Sequence, residues 1–296
     1  AINSSYGFQI DLNTSCTGED SLDISIDAGN GSGSATGSVS SGTLSNPLSE
    51  FDLNGGSEAL TVDGVSYTFP LGDLTAIVGD NTDGSALFTT ACAYGGPSNT
   101  LDDCGNVNAG ITGGGTAFGI SYDFDNGFTA AAGYAGVGSS TDGLLTEEGL
   151  DSYGFNVAYT GDTYGLSVTY GSTEATTTTE DTFTALNAYW APEGNFPSIS
   201  VGYEIGDDGS EVAAEDGLTS YFVGLEFAEV GPGTFGAAFG TKTPTTEDGS
   251  DLMMYEAYYS YPVNDGMTIT PLFFIKEFAA GTSDETGLMV KTSFSF

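Results

Sequence analysis

Carboxylates are the only chemically forceful side chains that this sequence carries in quantity. Asp and Glu number 41, against the three cations Lys242, Lys276 and Lys291 and no histidine, for a formal net charge of −38. In an extended segment, alternate residues share one face. By that alternation Asp11, Asp23, Asp27, Asp123, Glu204, Glu226 and Glu256 fall on the polar faces of their segments. Rings of Asp and Glu around a constriction favour cations, so these seven are candidate pore-lining residues. The same sign repels nucleic acid and anionic headgroups.

Catalysis has little to draw on. Without histidine, Ser–His and Cys–His nucleophiles and His-ligated zinc sites are impossible. Gly113-Gly114-Gly115 and Gly231-Pro232-Gly233 are turns rather than phosphate loops, since no lysine follows at the required spacing. Glu147-Glu148 sits in an acidic loop with no pocket in view. Acid-rich loops such as Asp207-Asp208 offer oxygen ligands to weakly held Ca2+, but EF-hand spacing is absent and no other cofactor is implied. The chain reads as a non-enzyme.

The elements that position these residues are strands. Forty-five glycines together with 12% aromatic residues are wrong for simple disorder and suit many strands joined by tight turns. No window approaches the roughly 18–20 apolar residues of a membrane helix, and apolar residues recur at period two. Tyr153, Phe155, Val157 and Tyr159 share one face, Gly154, Asn156 and Ala158 the other. Aromatics cap both ends of the apolar face, as the interfacial girdles of a membrane β-barrel require.

The design recurs in fifteen segments: 6–15, 22–28, 65–71, 74–79, 118–124, 128–134, 153–159, 164–170, 183–190, 199–205, 221–227, 235–242, 252–261, 267–276 and 288–296. The face assignment of 183–190 is ambiguous, and Pro271 lacks a ladder donor. Short turns, at 17–20, 124–128, 160–163, 191–195, 230–233 and 262–266, alternate with longer polar loops such as 171–182, 206–217 and 243–251. That alternation predicts an up-and-down barrel with short periplasmic turns and long outer loops. First and last segments then run the same way, so antiparallel closure calls for a sixteenth strand upstream of Ala1. The rivals are that 86–94 forms a strand, or that one of the fifteen is false. Ala1-Ile2-Asn3-Ser4 has no signal-peptide character, which reads as a processed or truncated chain.

Residues 80–115 form a long, Gly-rich connection, and loops of that length are uncommon unless functional or disordered. It is a candidate constriction loop carrying Asp102 and Asp103, or else an external loop packed at an assembly axis or over the mouth. Cys92 and Cys104 bracket its Gly-, Pro- and Asn-rich part. They either form a disulfide in an oxidising compartment or remain free thiols. Cys16 has no evident partner.

Leu12-Asn13-Thr14-Ser15-Cys16-Thr17-Gly18-Glu19-Asp20, then Asp27-Ala28-Gly29-Asn30 and Tyr67-Thr68-Phe69-Pro70-Leu71-Gly72-Asp73, resemble the start of the cyanobacterial OprB-like, carbohydrate-selective type of porin. The ending 289–296, with its terminal Phe296, resembles the assembly signal of outer-membrane proteins. The resemblance is specific within residues 8–80 and matches elsewhere in layout. It implies a homotrimeric barrel among outer-membrane lipids of a cyanobacterial, Gram-negative-type cell. It also implies an upstream S-layer-homology domain gripping peptidoglycan or another cell-wall polymer, absent from this chain, and passive passage of small solutes. The family strand carries arginines where this chain has Leu22-Asp23-Ile24-Ser25-Ile26-Asp27, which reverses the expected charge of the lumen.

Residues 1–296 are therefore expected to form one barrel domain. Its expected function is passive diffusion of ions and small hydrophilic solutes, with a preference for cations. The alternative is an acidic, Gly-rich structural or adhesion protein of the cell surface.

Overall fold

The computed structural model describes residues 6–29, 50, 59–111, 115–138, 143–146, 149–176, 179–207, 209, 217–241, 251–278 and 283–295. Its strands in chain order are β1 (Gly7–Thr14), β2 (Ser21–Gly29), β3 (Thr61–Leu71), β4 (Leu74–Asp80) and β5 (Thr116–Asp123). Then come β6 (Phe128–Gly136), β7 (Asp151–Thr160), β8 (Tyr164–Thr176), β9 (Thr179–Trp190) and β10 (Ser198–Asp207). The last five are β11 (Leu218–Val230), β12 (Gly233–Thr241), β13 (Met253–Asn264), β14 (Met267–Lys276) and β15 (Glu285–Phe294). All pair with their sequence neighbours in one antiparallel, 15-stranded sheet.

The fifteen segments expected from alternation are the fifteen strands, and 86–94 is not a sixteenth. Turn chemistry accounts for the tight ends. Gly72 and Gly231 adopt positive φ of 66° and 64° at the first central position of two-residue hairpins, Leu71–Leu74 and Val230–Gly233, the place a type II′ turn reserves for glycine.

One loop expectation is corrected. Residues 171–182 are not a long polar loop, because the β8–β9 ladder continues until Thr176 opposes Thr179. Threonine is β-branched and favours extended backbone, while its polarity hides the strand from a hydropathy pattern. At Pro271 the ladder to β13 passes from Tyr258–Leu272 to Tyr261–Ile269 without pairs between, as a residue lacking an N–H dictates. There the Thr270 hydroxyl reaches Ser260 Oγ at 3.3 Å.

Burial is inverted relative to a water-soluble sheet. Phe155 is 55% exposed and its neighbour Asn156 2%. Phe8, Ile10, Leu12, Ile120, Val168, Val201, Phe273 and Val290 are likewise exposed. Soluble monomers rarely expose so extended an apolar face. The ambiguity at 183–190 is settled by the same criterion: Phe183, Ala185 and Asn187 point inward, Leu186 and Trp190 outward. Among the described residues no helix is long and apolar enough to cross a membrane.

The sheet curves around its own interior. A flat sheet would set β2 and β14 on the order of 55 Å apart, yet Glu50, between β2 and β3, forms an ion pair with Lys276 of β14, both side chains being almost fully buried. The arrangement is consistent with a barrel. Its two edges, β1 and β15, run in the same direction, and among the described residues they share no ladder.

Candidate functional site: a segment fixed across the inner face

The connection between β4 and β5 folds back over the inner face of the sheet. Its base is closed where Asn81 N–H donates to Gly115 O at 2.8 Å. From there an extended stretch crosses successive strands. The N–H groups of Thr89, Ala91, Ala93 and Gly95 donate to Asn156 Oδ1 of β7 (2.9 Å), Ser167 Oγ of β8 (2.9 Å), Ser200 Oγ of β10 (2.8 Å) and Glu226 Oε2 of β11 (3.0 Å). Every second N–H faces the wall, the period of extended chain. Its partners are side chains standing off the sheet, so the stretch lies over a face instead of joining an edge.

The return leg is held as firmly. Asn187 Nδ2 of β9 donates to Cys104 O at 2.8 Å. The Glu204 carboxylate of β10 accepts Asn108 N–H (2.8 Å), Ala109 N–H (2.9 Å) and Asn108 Nδ2 (3.0 Å). A disulfide between Cys92 and Cys104, with Cα atoms 6.3 Å apart, ties the two legs together. The Glu50 carboxylate, besides pairing with Lys276, accepts Thr100 N–H (3.1 Å) and Oγ1–H (2.8 Å).

Glycine gives the segment its room. A Cβ on Gly133 of β6 would meet Gly84 O, and one on Gly202 of β10 would meet Cys104 O. These inward glycines mark places where two backbones approach closely.

The expected pore-lining carboxylates separate into two groups. Glu204, Glu226 and Glu256 point inward as alternation requires but lie under the segment: Glu204 is 1% exposed and Glu256 4%. Glu256 Oε1 accepts the Tyr94 hydroxyl at 2.7 Å, and Glu226 Oε2 accepts that of Tyr258. Burial, then the facing Glu256 charge, pushes the Tyr94 hydroxyl far above its ordinary pKa. The other group lies on β1, β2 and the end of β5. Asp11 accepts from Gln9 and Ser25, both at 2.7 Å, and Asp23 from Ser21 at 2.7 Å and Asn13 at 2.5 Å. Asp27, further along β2, is buried and accepts Thr61 Oγ1–H at 2.8 Å. Asp123 caps the next turn through Asp125 N–H at 2.9 Å. Asp102 and Asp103 are exposed on the segment itself.

Of the cations, Lys276 is paired with Glu50, Lys291 shares the inward parity of Met289, and Lys242 lies outside the described residues. Sequence reasoning missed Asn156, Ser167, Asn187 and Ser200. Their signal was present: each is a small polar residue at an inward position of its strand. Glu50 had none, lying outside every expected strand in a stretch of Gly, Ser and Asn.

Among the described residues no three Asp, Glu or Cys side chains group as a metal site. What the arrangement builds is a polar interior, narrowed by a fixed segment and enclosed by an apolar outer surface, and that combination defines a porin-type β-sheet fold. Comparison with solved structures agrees. A triple mutant of Rh. blastica porin superposes with TM-score 0.59 at 12% identity, covering 99% of this chain and 90% of that one. A second triple mutant of the Rhodopseudomonas blastica protein gives 0.58 at 14% identity over the same shares. At such identity the likeness is one of fold. No family model matches the chain, and no curated protein does.

Proposed function

We propose that the chain is an outer-membrane porin, conducting ions and small hydrophilic solutes passively and preferring cations. The observation that carries this reading is the inverted burial: apolar side chains outward, polar ones inward, and a segment pinned across the inner face by its neighbours' side chains. A water-soluble protein gains nothing from that arrangement, whereas a bilayer demands it. The cation preference is supported by Asp102 and Asp103 on the segment and by Asp11 and Asp23 on the wall, set against few inward cations. In this reading the barrel assembles as a homotrimer in a Gram-negative-type, cyanobacterial outer membrane. An N-terminal cell-wall-binding domain tethers it, as the resemblance within residues 8–80 implies.

Reversal potentials across planar bilayers under a salt gradient test the central claim. A potential on the cation side is expected, and one on the anion side would overturn the selectivity. Extraction separates the pore from an acidic structural or adhesion protein of the surface. A barrel requires detergent and migrates heat-modifiably on gels, whereas a surface protein dissolves in water.

A further inference from the structure

The Glu50–Lys276 ion pair bears on the tip of the inner segment. Between Gly95 and Cys104 the segment reverses through a run of turns, and two anchors of different kinds hold that reversal. Leu101 belongs to a buried cluster with Phe222, Met254 and Leu272. Thr100 donates its N–H and its hydroxyl to the Glu50 carboxylate at 3.1 and 2.8 Å. Apolar contact is non-directional and fixes depth, whereas two hydrogen bonds converging on one charged group fix direction. Asp102 and Asp103, both exposed, follow Leu101 directly in the chain. Glu50 is held in turn by Lys276. Both side chains are almost fully buried, and Lys276 shares the inward face of β14 with Leu272 and Phe274, opposite Glu285 of β15. Covered in this way, the lysine shows little of its charge to the interior. It neutralises a carboxylate that would otherwise be buried without a cation, a strongly destabilising state.

We propose that Lys276 is a positioning residue of the pore: through Glu50 and Thr100 it sets where Asp102 and Asp103 stand, and so governs a selectivity to which its own charge contributes little. The inference rests on the cation-preferring reading above and places part of its control on the β14 wall. It also carries a sign that counting charges does not. Removing a lysine from an acidic interior makes that interior more negative, which by field alone strengthens cation preference. Removing a lysine that holds the selecting acids in place weakens it, because Glu50 is left without its cation, withdraws, and releases the tip.

The test uses the full chain in planar bilayers under a salt gradient. Lys276→Met should move the reversal potential toward zero and make single-channel records noisier. Adding Glu50→Gln, which removes the stranded charge and leaves an acceptor for Thr100, should return the potential toward the wild-type value. Thr100→Val changes no charge and lies outside every strand; it should shift the potential in the same direction as Lys276→Met, by less. Hydrogen exchange on detergent-held Lys276→Met should quicken at 99–103 while β13 and β14 stay protected. A Lys276→Met potential equal to the wild type's, or further to the cation side, would overturn the proposal. So would an unchanged potential in Thr100→Val, an arm that alters no residue of the wall. A wild-type potential on the anion side would sink the selectivity reading itself and this inference with it, so the two failures are told apart.

Discussion

Replacing Glu204 with Ala should free the return leg of the inner segment while leaving the sheet intact. The carboxylate is buried and accepts two backbone N–H groups, from Asn108 and Ala109, plus the Asn108 amide. Alanine strands these donors and also removes the acceptor of the Ser220 hydroxyl, which reaches Oε1 at 3.4 Å. A buried donor without a partner costs about 1–3 kcal/mol, so the two backbone groups alone weaken the local closed state by about 2–6 kcal/mol. At 1.4 kcal/mol per tenfold change, that is a rise in local opening of roughly 30-fold to about 10⁴-fold. Glu204→Gln keeps the shape and one acceptor but gives up the charge-assisted bonds, at a cost of about 1–2 kcal/mol. Hydrogen exchange read by mass spectrometry on detergent-held protein checks this. Peptides spanning 105–111 should exchange faster in the order wild type, Gln, Ala, while those of β6–β8 stay protected, and single-channel records of the Ala variant should show larger, noisier conductance. Unchanged protection at 105–111, or an equal loss across every strand, would show that Glu204 is a packing residue of the sheet and not the anchor of the segment.

Neutralising the exposed pair as Asp102→Asn with Asp103→Asn should move the reversal potential toward zero, whereas Glu204→Gln should move it little, its charge being covered. Gly202→Ala places a Cβ against Cys104 O and 2.8 Å from Asn187 Nδ2. Overpacking of that kind costs about 1–3 kcal/mol, and faster exchange at 104–109 would report it. Reducing the Cys92–Cys104 bridge, 12 residues apart in sequence, removes a cross-link of the kind worth about 3 kcal/mol for a loop of this size. Exchange at 92–104 should rise while the heat-modifiable gel band persists. At the β1–β2 turn, Asp20 Oδ1 accepts Ser15 Oγ–H (2.6 Å) and Thr17 N–H (2.7 Å), and Oδ2 accepts the Tyr67 hydroxyl (2.5 Å). The Ser15 bond foremost, then that of Tyr67, holds its pKa far below the ordinary carboxylate value. A depressed folded pKa gives stability that is complete above the unfolded value near 4 and lost as pH falls beneath it. Amide protection at 16–18 should therefore decline below pH about 4, and Asp20→Asn should flatten that dependence.

Strand legibility followed burial geometry. Where one face is apolar and exposed and the other turned to the interior, as at 153–159, alternation is unbroken and the strand is plain in the sequence. The ladder of Thr173 to Thr182 was opaque because both faces there are polar, which erases the period while leaving β-branching as the only cue. The inner segment shows a different limit. Its length and cysteines marked residues 80–115 as special, but its path depends on contacts between residues far apart in sequence, such as Thr89 with Asn156 and Asn108 with Glu204. No local pattern encodes such pairs. The glycines at 133 and 202 carried half of that information, since an inward glycine in an otherwise regular strand signals a close neighbour without naming it.

The same contacts change what the charge of −38 means for conduction. A carboxylate influences a passing ion in proportion to how much of its field reaches the aqueous path. Glu204 spends its charge on backbone N–H groups, Glu50 on Lys276 and Thr100, and Glu226 and Glu256 on tyrosine hydroxyls beneath the segment. These acids fix the shape of the interior, and the charge they present to solutes is largely satisfied. In the proposed reading, selectivity falls to Asp102 and Asp103, exposed on the segment, and to Asp11 and the half-buried Asp23 on the wall. Cation preference should accordingly scale with substitutions at these four positions and hardly at all with the total count of acids. A variant stripped of several loop acids but retaining those four should select cations as the parent does.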